Sequence, residues 1–136
     1  MSPLILLIED NISDIELIQT AFEEAGVEAR FMVFRDGEEA INRFQHWAIN
    51  STPVPNLVFL DLNLPRASGH EVLAAIRSKP EFKALPVLVF STSTHPSDRT
   101  RSLAAGATDY LVKPPHFNDL LVMVNAVAQR FLKVES

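Results

Sequence analysis

Five short apolar runs, each followed by a stretch with helical spacing, constrain this chain more than any other feature. The runs are "LILLI" (4–8), "ARFMVF" (29–34), "LVFL" (57–60), "PVLVFS" (86–91) and "YLV" (110–112). A strand half open to water alternates apolar and polar residues. A four-residue run that is apolar throughout suits a strand covered on both faces, as in a parallel sheet. Between the runs, apolar residues recur three and four positions apart. Ile15, Ile18, Phe22 and Ala25 follow a Ser13-x-x-Glu16 capping-box pattern, and Gly26 stops that helix. Asp36 and Glu39 open a second helix, with Ala40, Ile41, Phe44 and Trp47 on one face. Ser68-x-x-Glu71 opens a third, with Val72, Ala75 and Ile76 inward and Pro80 at its end. A weaker helix is predicted from about Ser97 to Ala105, before Gly106. The last is the clearest, carried by Phe117, Leu120, Leu121, Val124, Val127, Ala128 and Phe131.

Strand then helix, five times over, predicts an α/β fold: an open parallel sheet with helices on both faces. The second and fifth strands, with Arg30 and Asp109, read as edges, and "AINSTPVPN" (48–56) as a surface loop. A length of 136 residues with 47% apolar content suits one domain with a full core. No apolar run approaches the roughly 18 residues of a membrane span. The start, "MSPLILLIEDN", lacks the basic flank of a signal peptide. The absence of cysteine excludes disulfides and thiolate metal sites. With a net charge of −5 and no stretch rich in Lys and Arg, direct nucleic-acid binding has little support.

Ligands of open α/β sheets bind beyond the carboxyl ends of the strands. The predicted strands end there on Glu9 and Asp10, on Asp61, on Ser91 followed by Thr92 and Ser93, and on Lys113 followed by Pro114 and Pro115. If the first and third strands are neighbours, three carboxylates crowd together and raise one another's pKa. A hard divalent cation such as Mg²⁺ relieves that crowding, with waters and a phosphoryl group as further ligands. Asp61 could itself be a nucleophile, since aspartyl phosphates are covalent intermediates in other proteins. Blander readings exist for each residue taken alone. Glu9 and Asp10 could favour a helix N-terminus, Asp61 could be a turn residue, Lys113 could be solvated, Ser91 could be an ordinary strand end, and Tyr110 could be edge packing. His46, His70, His95 and His116 show no ligand spacing and read as surface.

The acidic pair Glu9-Asp10, "DLNLP" at Asp61, Ser91 after "PVLVF" and "DYLVKP" at Lys113 come in order on the right elements. In this the sequence resembles the receiver domain of two-component response regulators, over the whole chain. The resemblance implies a flavodoxin-like (βα)5 three-layer sandwich with strand order 2-1-3-4-5. It implies one receiver domain over 1–136, with no output domain. Asp61 would be the phosphoacceptor. Asp10 and Asp61 would ligate Mg²⁺ directly, Glu9 through water, and Asn63 through its backbone carbonyl. Ser91 would bond the phosphoryl group and switch position, Lys113 would pair with that group, and Tyr110 would be the aromatic switch that turns inward. Asn63 and Ser93 stand at the positions that tune autodephosphorylation. The Lys113–Pro114 bond is expected to be cis.

The chain would thus be a phosphoacceptor signalling protein rather than an enzyme, with self-phosphotransfer and slow autodephosphorylation. Expected partners are a sensor histidine kinase and a downstream protein, with no direct nucleic acid and no membrane, in the cytoplasm. The downstream surface would be the fourth helix, fifth strand and fifth helix. Val122, Met123 and Ala126, apolar but off the main stripe, suggest a homodimer there. Glu at position 9 departs from the commoner Asp and reaches further; Gly69 reads as structural. The long loop before the third strand, with "IEDN" and "DLNLPR", is most similar to the small stand-alone regulators paired with phytochrome-type kinases. Two other classes stay open. A flavodoxin-like cofactor binder would need a phosphate-cradling loop where this chain has "IEDNISD". A pseudo-receiver would bind proteins without turning over phosphate.

Overall fold

The computed structural model describes residues 2–132. Five parallel strands lie in the order β2-β1-β3-β4-β5: β1 Leu4–Ile8, β2 Arg30–Phe34, β3 Leu57–Leu60, β4 Val87–Ser91 and β5 Asp109–Val112. The helices between and after them are α1 Ile12–Glu24, α2 Gly37–Gln45, α3 Gly69–Arg77, α4 Pro96–Ala104 and α5 Phe117–Val127. This is the flavodoxin-like sandwich expected, and the two strands predicted as edges are the edges. Among the described residues no helix is long and apolar enough to cross a membrane.

The continuous apolar runs are explained by two cores. In β1, Ile5 and Leu7 face α1 and α5, whereas Leu6 and Ile8 face α2 and α3. In β3, Leu57 and Phe59 take the first side and Val58 and Leu60 the second. Alternate residues of one strand therefore enter different cores, and both sets are apolar. Aromatic rings fill the wider gaps. Phe22 meets Phe59 edge-on at 5.9 Å, and Phe44 meets Phe82 edge-on at 5.1 Å with Trp47 beside them. Trp47 lies past the end of α2 yet is buried, as its place on that helix's apolar stripe implied.

Several boundaries differ from expectation. Helix α1 is capped by Asn11, whose Oδ1 accepts from the Asp14 N–H at 3.1 Å, and not by Ser13. Both residue types cap well, and starting earlier brings Asp14 into the first turn. Helix α4 begins at Pro96, whose fixed φ and missing N–H suit a first helical position. Asp36 and Ser68 cap α2 and α3 as predicted. Two glycines allow backbones to touch. A Cβ on Gly69 would lie 2.3 Å from the Asp61 carbonyl oxygen, and one on Gly37 would lie 1.9 Å from the Ala67 carbonyl oxygen. The segment after Asp61 is thus pressed between the end of β3 and the start of α2.

Candidate functional site

Register carries the acids to one place. Ile8 of β1 pairs with Phe34 of β2 and Leu60 of β3. One step further on, the Glu9 N–H donates to the Phe34 carbonyl at 3.0 Å and the Asp61 N–H to the Ile8 carbonyl at 3.0 Å. Glu9 and Asp61 are 3% and 6% exposed, while Asp10 is open to solvent. One carboxylate oxygen from each of Glu9, Asp10 and Asp61 lies within 4.8 Å of the others.

Lys113 reaches the same point from the end of β5. Its N–H donates to the Ser91 carbonyl at 2.8 Å, continuing the ladder. Its Nζ, on a side chain 11% exposed, donates to Glu9 Oε1 at 2.8 Å, Asp14 Oδ2 at 2.7 Å and Asp61 Oδ2 at 3.1 Å. An ammonium has three donors, and all three are engaged. Burial pushes the Glu9 carboxyl up, and the adjacent Asp61 pushes it further, to about 7, against the pull of Lys113. Burial also opposes the charge of Lys113, but the hydrogen bonds to Asp14 and Glu9 outweigh it and hold the ammonium above its ordinary range.

The remaining predicted residues surround this cluster. The Asn63 N–H donates to Asp61 Oδ1 at 3.1 Å, so both carboxylate oxygens of Asp61 are held. Ser91 is fully buried, and its Oγ accepts from the Ser93 N–H at 3.1 Å. Tyr110 lies inward, 4% exposed, and its hydroxyl donates to the Ser93 carbonyl at 2.8 Å. Ser93 Oγ donates to Asp98 Oδ2 and accepts from the His95 N–H. Ser93 is therefore the junction between Ser91, Tyr110 and the first turns of α4.

Two expectations are corrected. No peptide bond is cis among the described residues, so Lys113–Pro114 is trans. Trans is the lower-energy isomer for X–Pro by roughly 0.5–1 kcal/mol, and in trans Lys113 already reaches its three acids. His70 is not a free surface residue: its Nε2 lies 2.9 Å from Ser102 Oγ, linking α3 to α4. Ser102 is fully buried and donates its own proton to the Asp98 carbonyl, so the imidazole is the donor. Asp14 was not singled out from the sequence. Its partner lies 99 residues away, and at the start of α1 it looks like any acid favoured by a helix N-terminus.

Glu9, Asp10 and Asp61 offer hard oxygen donors only, and more negative charge than one ammonium neutralises. Such a set fits Mg²⁺ or Mn²⁺ better than softer metals. Residues 5–125 match the family model for the response regulator receiver domain. The chain belongs to that family.

Among its relatives, this receiver is 37% identical over 129 residues to "Probable methanogenesis regulatory protein FilR2" of Methanothrix harundinacea, covering 95% of this chain and 83% of that one. It is 35% identical over 130 residues to "Response regulator Rcp1" of Synechocystis, covering 95% and 88%. A Mn²⁺-bound structure of Rcp1 superposes with a TM-score of 0.84 at 34% identity, covering 98% of this chain and 97% of that one. The phosphorylated cyanobacterial phytochrome response regulator RcpA superposes at 0.87 with 35% identity, covering 100% and 98%.

Proposed function

We propose that Asp61 accepts a phosphoryl group from the phosphohistidine of a sensor kinase and thereby biases a protein-binding face. The observation that carries this reading is the grip on its carboxylate. Asp61 stands at the open end of a buried central strand, with Oδ1 on the Asn63 N–H, Oδ2 on the Lys113 ammonium, and Glu9 and Asp10 alongside. Held in this way, the carboxylate has lost the rotational freedom that would otherwise oppose in-line attack. An Asp61 oxygen attacks phosphorus, the phosphorus–nitrogen bond of the donor breaks, and the imidazole leaves with the bonding pair. Mg²⁺, with Asp10, Asp61 and the Asn63 carbonyl as direct ligands and Glu9 through water, would supply positive charge beside the transferring oxygens. Lys113 balances the same charge from the protein side.

The acyl phosphate then accepts a hydrogen bond from the Ser91 hydroxyl and draws it over, while Ser91 Oγ still accepts from the Ser93 N–H. Because Ser91 bonds Ser93, and Ser93 bonds both Tyr110 and Asp98, a pull on Ser91 is felt at the ring of Tyr110 and at the start of α4. The outcome is a shift between two arrangements of α4, β5 and α5, which acts on a partner through its differential affinity for them. On that face Leu103, Val112 and Val122 are exposed, Val122 at 69%, and Ala126 is exposed as well. These apolar positions support a downstream protein or a second copy as its occupant; Met123 instead packs against the core. The likeness to the phytochrome response regulator RcpA supports a phytochrome-type kinase as donor. Self-phosphotransfer from small donors and slow autodephosphorylation, tuned at Asn63 and Ser93, belong to the same reading.

The test is incubation with Mg²⁺ and acetyl phosphate, followed by intact mass, for wild type and Asp61→Asn. A phosphate adduct on the wild type alone is expected. An adduct on both proteins, or on neither, would overturn the assignment.

A further inference from the structure

The Lys113 ammonium is bound by one acid that takes no part in the trio. Asp14 Oδ2 makes the shortest of its three bonds, 2.7 Å, yet Asp14 is not among the carboxylates that converge within 4.8 Å. Its position is fixed by a closed ring of hydrogen bonds. Lys113 Nζ donates to Glu9 Oε1 at 2.8 Å, Glu9 Oε2 accepts from the Asn11 N–H at 3.1 Å, Asn11 Oδ1 accepts from the Asp14 N–H at 3.1 Å, and Asp14 Oδ2 accepts from Lys113. The helix cap and the site are thus one construction. Asn11 does not merely start α1; it sets the backbone of the residue that holds the lysine.

This matters when Glu9 and Asp61 turn toward a cation. Both are partners of Lys113, and both belong to the trio. Their engagement would draw charge away from two of the three acceptors of an ammonium whose side chain is 11% exposed, beside a divalent charge. Desolvated charge without a partner is costly. Asp14 lies outside the trio, so its carboxylate remains available to Lys113 throughout.

We propose that Asp14 is a positioning residue that retains Lys113 at the site when a divalent cation takes Glu9 and Asp61. The proposal rests on the phosphoacceptor reading above. Asp14 touches neither the cation nor the phosphoryl group and acts only through Lys113, so its effect on cation binding depends on that lysine being there.

The experiment is a Mg²⁺ titration by calorimetry of wild type, Asp14→Asn, Lys113→Met and the double variant. Coupled neighbouring groups differ in such cycles by amounts that correspond to about tenfold in affinity. Asp14→Asn is expected to weaken Mg²⁺ binding by about tenfold in the wild-type background and by less than about twofold beside Lys113→Met. Equal weakening in both backgrounds would mean that Asp14 acts as a bare charge, and no weakening in the wild-type background would mean that it does not act; either overturns the proposal. If the Lys113 variants do not fold, the ratio of wild type to Asp14→Asn is compared at low and high salt. A contact through Lys113 keeps the ratio, whereas a bare surface charge is screened and the ratio falls toward one, which also overturns the proposal. Failure of the wild type itself to bind Mg²⁺ would overturn this proposal together with the phosphoacceptor reading. Normal wild-type binding with no coupling overturns only the role of Asp14.

Discussion

Glu9 holds its proton nearly to neutrality because burial and Asp61 both work against its charge, and Lys113 only partly compensates. Its folded value, about 7, lies above the ordinary 4.5. In the metal-free protein its contribution to stability is therefore complete below about pH 4.5 and is lost as pH rises through about 7. Cation binding runs the other way, since the ligand must be ionised. Mg²⁺ affinity is expected to weaken by about tenfold for each pH unit below 7. Calorimetry at pH 6 and pH 8 would read this, and Glu9→Gln should flatten the dependence. Lys113 is raised too, so its contribution is present below its ordinary 10.5 and lost only as pH rises through its higher folded value. Replacing Lys113 by Met leaves Glu9 and Asp61 buried without their counter-charge. That should cost about 3–5 kcal/mol in urea unfolding without metal, and saturating Mg²⁺ should recover part of the loss. At this scale Glu9, Asp10, Asp61, Ser91 and Lys113 were legible because each ends a strand. Asp14 was not, because its role exists only where a lysine from the far end of the chain arrives beside it.

Helices α3 and α4 differ in how they are held. Helix α3 buries Val72, Leu73 and Ile76 in the core, whereas α4 buries only Ser102. Its anchors are polar: Ser93 with Asp98, His70 with Ser102, and Arg99 Nη1 on the Tyr110 carbonyl at 3.3 Å. An element with little buried apolar surface opens locally at low cost. Amide hydrogen exchange should therefore be faster in α4 than in α3, and Ser93→Ala should speed it further in the first turns of α4 while leaving α3 unchanged. Protection of α4 equal to that of α3 would contradict this account. The weak pattern of α4 in the sequence has the same origin, since a helix that buries little has no apolar stripe to read. The start of α1 was ambiguous for another reason. Asn11 and Ser13 are both good caps, and nothing local chooses between them; the ring through Glu9 and Lys113 does.

The sheet as a whole was legible because its central strands are apolar on both sides, as strands covered on both faces must be, and because helices alternate with them. The strand order was not written in any local pattern. It came from the resemblance, and the structure bears it out: β1 sits between β2 and β3, which brings Glu9 next to Asp61. The trans Lys113–Pro114 bond shows the limit of that route, since the resemblance carries an isomer over while the local chain settles in the commoner one. The apolar part of the molecule's stability rests on the two cores. Phe44 is fully buried among Phe34, Trp47 and Phe82, so Phe44→Ala should cost about 3–5 kcal/mol by denaturant unfolding. If the folded fraction suffices, its Mg²⁺ affinity should equal that of the wild type, because the rings it packs against, Phe34, Trp47 and Phe82, are not site residues.

The bare backbone contacts at Gly37 and Gly69 give the molecule a direction of compliance. On the side of α2 and α3 the segment after Asp61 is wedged, carbonyl against Cα, and a side chain on either glycine would collide with it. That flank is stiff. On the flank toward β4 and β5, hydroxyls, an imidazole and a guanidinium hold α4, and these stretch before packed atoms do. A load applied at Asp61 is therefore borne without yielding on one side and given up as displacement on the other, so the chain works as a lever with a fixed jaw and a moving one.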